Sequence, residues 1–137
     1  MRELEKRLRR DLIRIGLTEN FNLDLRGYSK SYYGRYDPNT DTVILYPYKT
    51  AEGDMYSYEE LLMTLIHEVI HCKQWHDPSF KRLRGVMHDP EFKRLYHKYS
   101  DRAKALILFS EVVTRYDSVY PQVVCQVPNF TYSFCQA

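Results

Sequence analysis

The sequence predicts a single α+β domain, and three observations carry that reading: an amphipathic helical period at the N-terminus, short β-like runs after it, and a capped, largely apolar helix from Ser57 onward. A chain of 137 residues with 44% hydrophobic and 28% charged side chains suits one modest core. Residues 1–137 are therefore expected to form one domain: an N-terminal basic helix within 1–20, a sheet within 21–50, a helical region at 57–116 and a tail at 117–137.

The first helix is predicted over 3–15. Leu4, Leu8, Leu12 and Ile15 recur three or four residues apart, the basic side chains fall mostly elsewhere, and Gly16 follows as a stop. Residues 22–27, 32–36 and 42–48 read as strands of a small antiparallel sheet, with turn chemistry at Asp37-Pro38-Asn39-Thr40-Asp41 between the last two. Ser57 and Glu60 form a capping box at the start of a second helix that should run to about Trp75 and end before Pro78.

Residues 76–83 and 88–95 agree at seven of eight places, and each copy has Asp-Pro at a helix start. The first copy predicts a short helix closed by Gly85. The second predicts a helix from Pro90 that continues to Tyr116, with a break near Ser100-Asp101. Pro121 and Pro128 divide the tail, where 123–135 could supply one or two short strands.

Charge is segregated behind a net +2: residues 73–104 hold nine basic against four acidic side chains, and 37–60 hold six acidic against one basic. Lys81, Arg82, Arg84, Lys93 and Arg94 are the candidate nucleic-acid contacts of the basic stretch. With thirteen tyrosines, some should line a surface or cleft. No apolar stretch of membrane-spanning length occurs and the N-terminus opens on charges, so the expected location is the cytoplasm, away from membranes. Cys72, Cys125 and Cys135 are too few and scattered for a disulfide framework and are expected to be reduced thiols.

The chemistry is concentrated in His67-Glu68-Val69-Ile70-His71, an H-E-x-x-H inside the capped helix. A period of about 3.6 residues sets both imidazoles on one face, where they can reach one divalent ion. Zinc is the expected metal, one ion per chain, and Glu68 is placed to act as general base on the water beside it. The third ligand is open among several residues. His88 follows Gly85, where the chain can reverse and return to the site; His76 or Asp77, and a downstream carboxylate such as Glu91 or Glu111, are the alternatives. His76 should face away, because five helical residues rotate it roughly 140° from His71.

His67-Glu68-Val69-Ile70-His71 followed by His88-Asp89-Pro90-Glu91-Phe92 resembles the SprT-like (Spartan-type) zinc metalloproteases, and the likeness covers roughly residues 5–110. Gly34-Arg35-Tyr36 and Val43-Ile44-Leu45 are similar to that family's strand pair before its catalytic helix. The resemblance implies a zincin-like metalloprotease core with His67, His71 and His88 as zinc ligands and Glu68 as catalytic base. Asp89 stands where the family usually has glycine, and only Cys125 and Cys135 stand where family members often carry a four-cysteine zinc ribbon, so no second structural zinc is expected.

The expected function is a zinc-dependent endopeptidase acting on a protein or peptide substrate, including proteins associated with DNA, with DNA itself a candidate partner and a monomer favoured. Two alternatives stand beside it: a DNA-binding module with a structural metal site, and a dedicated metalloprotease with a single target.

Overall fold

A computed structural model describes residues 1–77, 79 and 87–119, with side chains to residue 113. Two compact units divide at Ala103/Lys104; among the described residues the first holds the three strands, two helices and the start of the third, and the second continues that third helix. Among the described residues the architecture is α+β, with three helices and a three-stranded sheet. Among the described residues no helix is long and apolar enough to cross a membrane.

Helix α1 (Arg2–Ile15) buries Leu8, Leu12 and Ile15, the stripe that its sequence period anticipates. It closes in a Schellman motif: Gly16 takes φ 87°, its N–H bonds to the Ile13 carbonyl, and the Leu17 N–H bonds to that of Leu12. Leu17 is then buried under the helix end.

Strands β1 (Asn22–Leu25), β2 (Gly34–Asp37) and β3 (Thr42–Leu45) stand in the order β1-β3-β2. The sheet is mixed, which corrects the antiparallel expectation: β2 and β3 form the antiparallel hairpin, but β1 runs parallel to β3, with Leu25 opposite Leu45. Gly34 also lies opposite Leu45, so residues 26–33 carry the chain from one side of β3 to the other at the same end. Val43, Ile44 and Leu45 are consecutive and all buried, and the central place goes to the strand that is apolar on both faces.

Gly34 is required by close approach. A Cβ there would lie 2.9 Å from the Ile44 carbonyl oxygen and 2.9 Å from Thr64 Cγ2 of the next helix.

Helix α2 (Tyr58–His76) starts at the anticipated capping box: the Ser57 hydroxyl accepts the Glu60 N–H at 3.2 Å, and the Glu60 carboxylate accepts the Ser57 N–H at 2.9 Å. Leu61, Leu62, Leu65, Ile66, Val69 and Ile70 form its buried face, and the helix packs on β2 and β3. Tyr58 donates its hydroxyl to buried Asp11 at 2.5 Å and lies under the Arg7 guanidinium, which fastens α2 to α1.

Helix α3 (Pro90–Val119) begins with Asp89 as cap, whose carboxylate accepts the Phe92 N–H at 2.9 Å. It has no break at Ser100-Asp101, contrary to expectation. Ser100 is buried and its hydroxyl donates to the His97 carbonyl, so its side chain is satisfied within the helix. Arg102 donates to the Ile15 carbonyl at 2.9 Å, tying this helix to the end of α1. The short helix expected before Gly85 and the strands expected within 123–135 fall outside the described residues, as do Cys125 and Cys135.

Candidate metal centre

His67 and His71 stand one turn apart on α2, and residues 87–89 bring His88 against them from the start of α3. The three Nε2 atoms form a nearly equilateral triangle: 3.2 Å between His67 and His71, 3.1 Å between His71 and His88, and 3.1 Å between His88 and His67.

Hydrogen bonds alone cannot satisfy that triangle. Each ring nitrogen is either an N–H donor or a bare acceptor, so among three mutual neighbours at least one pair is always alike. A cation satisfies all three at once. At an ion–nitrogen distance of about 2.05 Å the observed edges correspond to angles of about 100° at the ion, close to tetrahedral. These residues are one of the groups whose ligand atoms could hold a metal.

The ring orientations are set by neighbours. His71 Nδ1 lies 2.7 Å from Gln74 Oε1. A side-chain carbonyl only accepts, so Nδ1 carries the proton and Nε2 presents its lone pair to the centre of the triangle. The Gln74 amide in turn donates to the Met87 carbonyl at 2.7 Å, which holds the residue before His88. Phe92, 3% exposed, stacks on His71 at 4.6 Å between centroids and meets His67 edge-on at 4.9 Å. Asp89 then does two jobs: it starts α3, and its cap places Phe92 under the histidines.

Burial, followed by the other two histidines, pushes His67 down to about 4, and burial lowers His71 against the pull of Gln74. Both rings are therefore neutral near pH 7, the form that binds metals. Glu68, 8% exposed, holds its carboxyl 4.0 Å from His67 Nε2. Burial pushes it up to about 7, while the Tyr36 backbone N–H pulls the other way. A carboxyl poised there can both take and release a proton under neutral conditions.

The cluster lies between two cavities. One, of about 480 Å³, is bordered by Arg35, Tyr36, Trp75 and Met87 as well as the three histidines and Glu68. The other, of about 280 Å³, continues past His67 and Glu68 between Tyr33, Met63 and Tyr96. Both run beside β2, an edge strand of the sheet.

The other ligand candidates go elsewhere. His76 does point away, to Asp41 at 2.8 Å and Tyr36 at 3.0 Å. Asp77 pairs with Lys73 and accepts from Ser79, and Glu91 pairs with Arg94. Glu111 is exposed on the later part of α3. Of the basic residues singled out for nucleic acid, Lys93 and Arg94 are exposed on α3 and Arg94 is held by Glu91, while Lys81, Arg82 and Arg84 lie outside the described residues.

Gln74 is a functional residue that the sequence motifs do not single out. Its position three residues after His71, on the same helical face, was the available signal. The chain matches no protein-family model, no curated protein and no solved structure.

Proposed function

We propose that this chain is a zinc-dependent endopeptidase of the SprT-like kind on a zincin-like core, with His67, His71 and His88 as the ligands and Glu68 as the general base. The observation that carries this reading is the triangle of Nε2 atoms at 3.1–3.2 Å with the Glu68 carboxyl beside it. Neutral imidazoles in a three-ligand set suit zinc and leave a coordination position open. A bound zinc ion supplies Lewis acidity toward a peptide carbonyl and makes a water molecule acidic near neutral pH.

The chain's own residues do the rest. Glu68 receives the proton of the attacking water and returns it to the departing amine nitrogen, a role its position beside His67 and its burial in the cleft allow. Gln74 keeps His71 in the liganding tautomer, and Phe92 shields the histidines from below. The edge of β2 offers backbone groups to an extended peptide. Cavities on both sides of His67 and Glu68 let the peptide continue in either direction, which favours internal cleavage over removal of terminal residues.

Glu68 also weighs against a purely structural metal site in a nucleic-acid-binding module, because coordination by three histidines makes no use of a buried carboxyl facing a cleft. The test is cleavage of unfolded casein by zinc-loaded wild type and Glu68→Gln at equal zinc content. Loss of at least about a hundredfold in rate is expected for the variant. Equal rates, or no cleavage of any unfolded protein by zinc-loaded wild type, would overturn the reading.

A further inference from the structure

Helix α2 carries a second pair of potential ligands with the spacing of His67 and His71. Cys72 and His76 are four residues apart and so share a helical face, about 100° round the helix from the first pair. That face meets the turn between β2 and β3. There Asp41 takes φ 53°, a left-handed conformation that aspartate tolerates better than most side chains, and its Oδ1 lies 2.8 Å from His76 Nε2 and 3.8 Å from Cys72 Sγ. Tyr36 Oη completes the surround, 2.6 Å from the same Asp41 oxygen and 3.0 Å from His76 Nε2.

We propose that Asp41, Cys72 and His76 form a second metal site, for a thiophilic divalent ion such as zinc, which clips the β2–β3 turn to the C-terminal end of α2. The three ligand atoms all lie within 4.8 Å of one another. A tetrahedral zinc ion with sulfur, nitrogen and oxygen ligands spaces them about 3.3–3.6 Å apart, so shifts of about an ångström would complete the site. The donor set is mixed, with one thiol, one imidazole and one carboxylate, and Tyr36 or water is available as the fourth partner.

The layout suits capture from solution. Cys72 is buried at the bottom, whereas the side chains of Asp41 and His76 remain 40% and 46% exposed at the mouth. Hydrogen bonding accounts for Tyr36, Asp41 and His76 without a metal, and it gives the thiol only the weak bonds a sulfur makes, to the Asn20 carbonyl at 3.6 Å, to Asp41 at 3.8 Å and to the Tyr36 side chain. An ion would give that sulfur a strong partner. It would also brace Tyr36, whose backbone N–H bonds to Glu68, and so stiffen the strand bordering the histidine cluster.

Cobalt(II) titration of the full chain tests this, in a Cys125→Ser/Cys135→Ser background that leaves Cys72 as the single thiol. Two cobalt ions per chain are expected, with a thiolate-to-cobalt charge-transfer band. His67→Ala/His88→Ala should lose one ion and keep the band. His76→Ala, and Asp41→Asn, which keeps the backbone conformation, should each lose one ion and the band. No thiolate band in the background protein, or a band that survives both Asp41→Asn and His76→Ala, would overturn the proposal. Failure at the histidine cluster would look different: one ion bound, with the band present.

Discussion

Gln74 and His71 are joined side chain to side chain at 2.7 Å, and the same glutamine grips the Met87 carbonyl at 2.7 Å. One residue thereby sets the tautomer of His71 on α2 and the approach of His88 fourteen residues further along the chain. Gln74→Ala should weaken zinc binding by about 10–100-fold while leaving the helical content unchanged. Chelator competition against wild type measures this. An unchanged dissociation constant would mean that Phe92 alone suffices to orient the ring.

In the metal-free protein Glu68 and His67 pull stability in opposite directions with pH. Glu68 goes from an ordinary 4.5 up to about 7, so its favourable contribution is complete below pH 4.5 and lost as pH rises through 7. His67 goes from 6.5 down to about 4, so its contribution is complete above pH 6.5 and lost as pH falls through 4. Glu68→Gln removes only the first effect. Its stability relative to wild type should climb between pH 4.5 and 7, by up to roughly 3 kcal/mol. Urea denaturation of both proteins across that range, with chelator present, gives the comparison; parallel curves would show that Glu68 is not desolvated.

Gly34→Ala is expected to cost about 1–3 kcal/mol, because the new methyl group meets a backbone carbonyl of β3 as well as Thr64 on α2. The carbonyl cannot turn aside without breaking the sheet. If β2 moves in response, peptide cleavage should fall more than zinc content does, since that strand borders both cavities. Thermal melts, zinc analysis and casein cleavage on one preparation separate these effects.

Ser57→Ala removes half of the capping box in front of the helix that carries the site. A loss of about 1 kcal/mol is expected by denaturant titration, with zinc affinity preserved, because the cap lies more than two turns from His67.

Features whose determinants lie within a turn or two of the chain could be read directly. The Leu8/Leu12/Ile15 stripe, the Gly16 stop, the Ser57–Glu60 box, the Asp89-Pro90 start of α3 and the shared face of His67 and His71 all follow from helical periodicity and local hydrogen bonding. His88 was legible as a candidate because a histidine after a chain reversal can return to the site, but spacing left it among competitors.

Distance along the chain hid the remainder. The parallel pairing of β1 with β3 depends on which edge of β3 residues 26–33 lead to, and strand-forming residues alone do not encode that choice. The unbroken α3 depends on Ser100 being buried and bonded to its own helix. Gln74 becomes an orienting residue only once Met87 is folded against it, and Asp41 meets Cys72 and His76 only because the hairpin turn packs on the end of α2. Periodicity places side chains on one element's face; which groups face each other between elements is decided by packing, where burial and hydrogen-bond satisfaction must be met together.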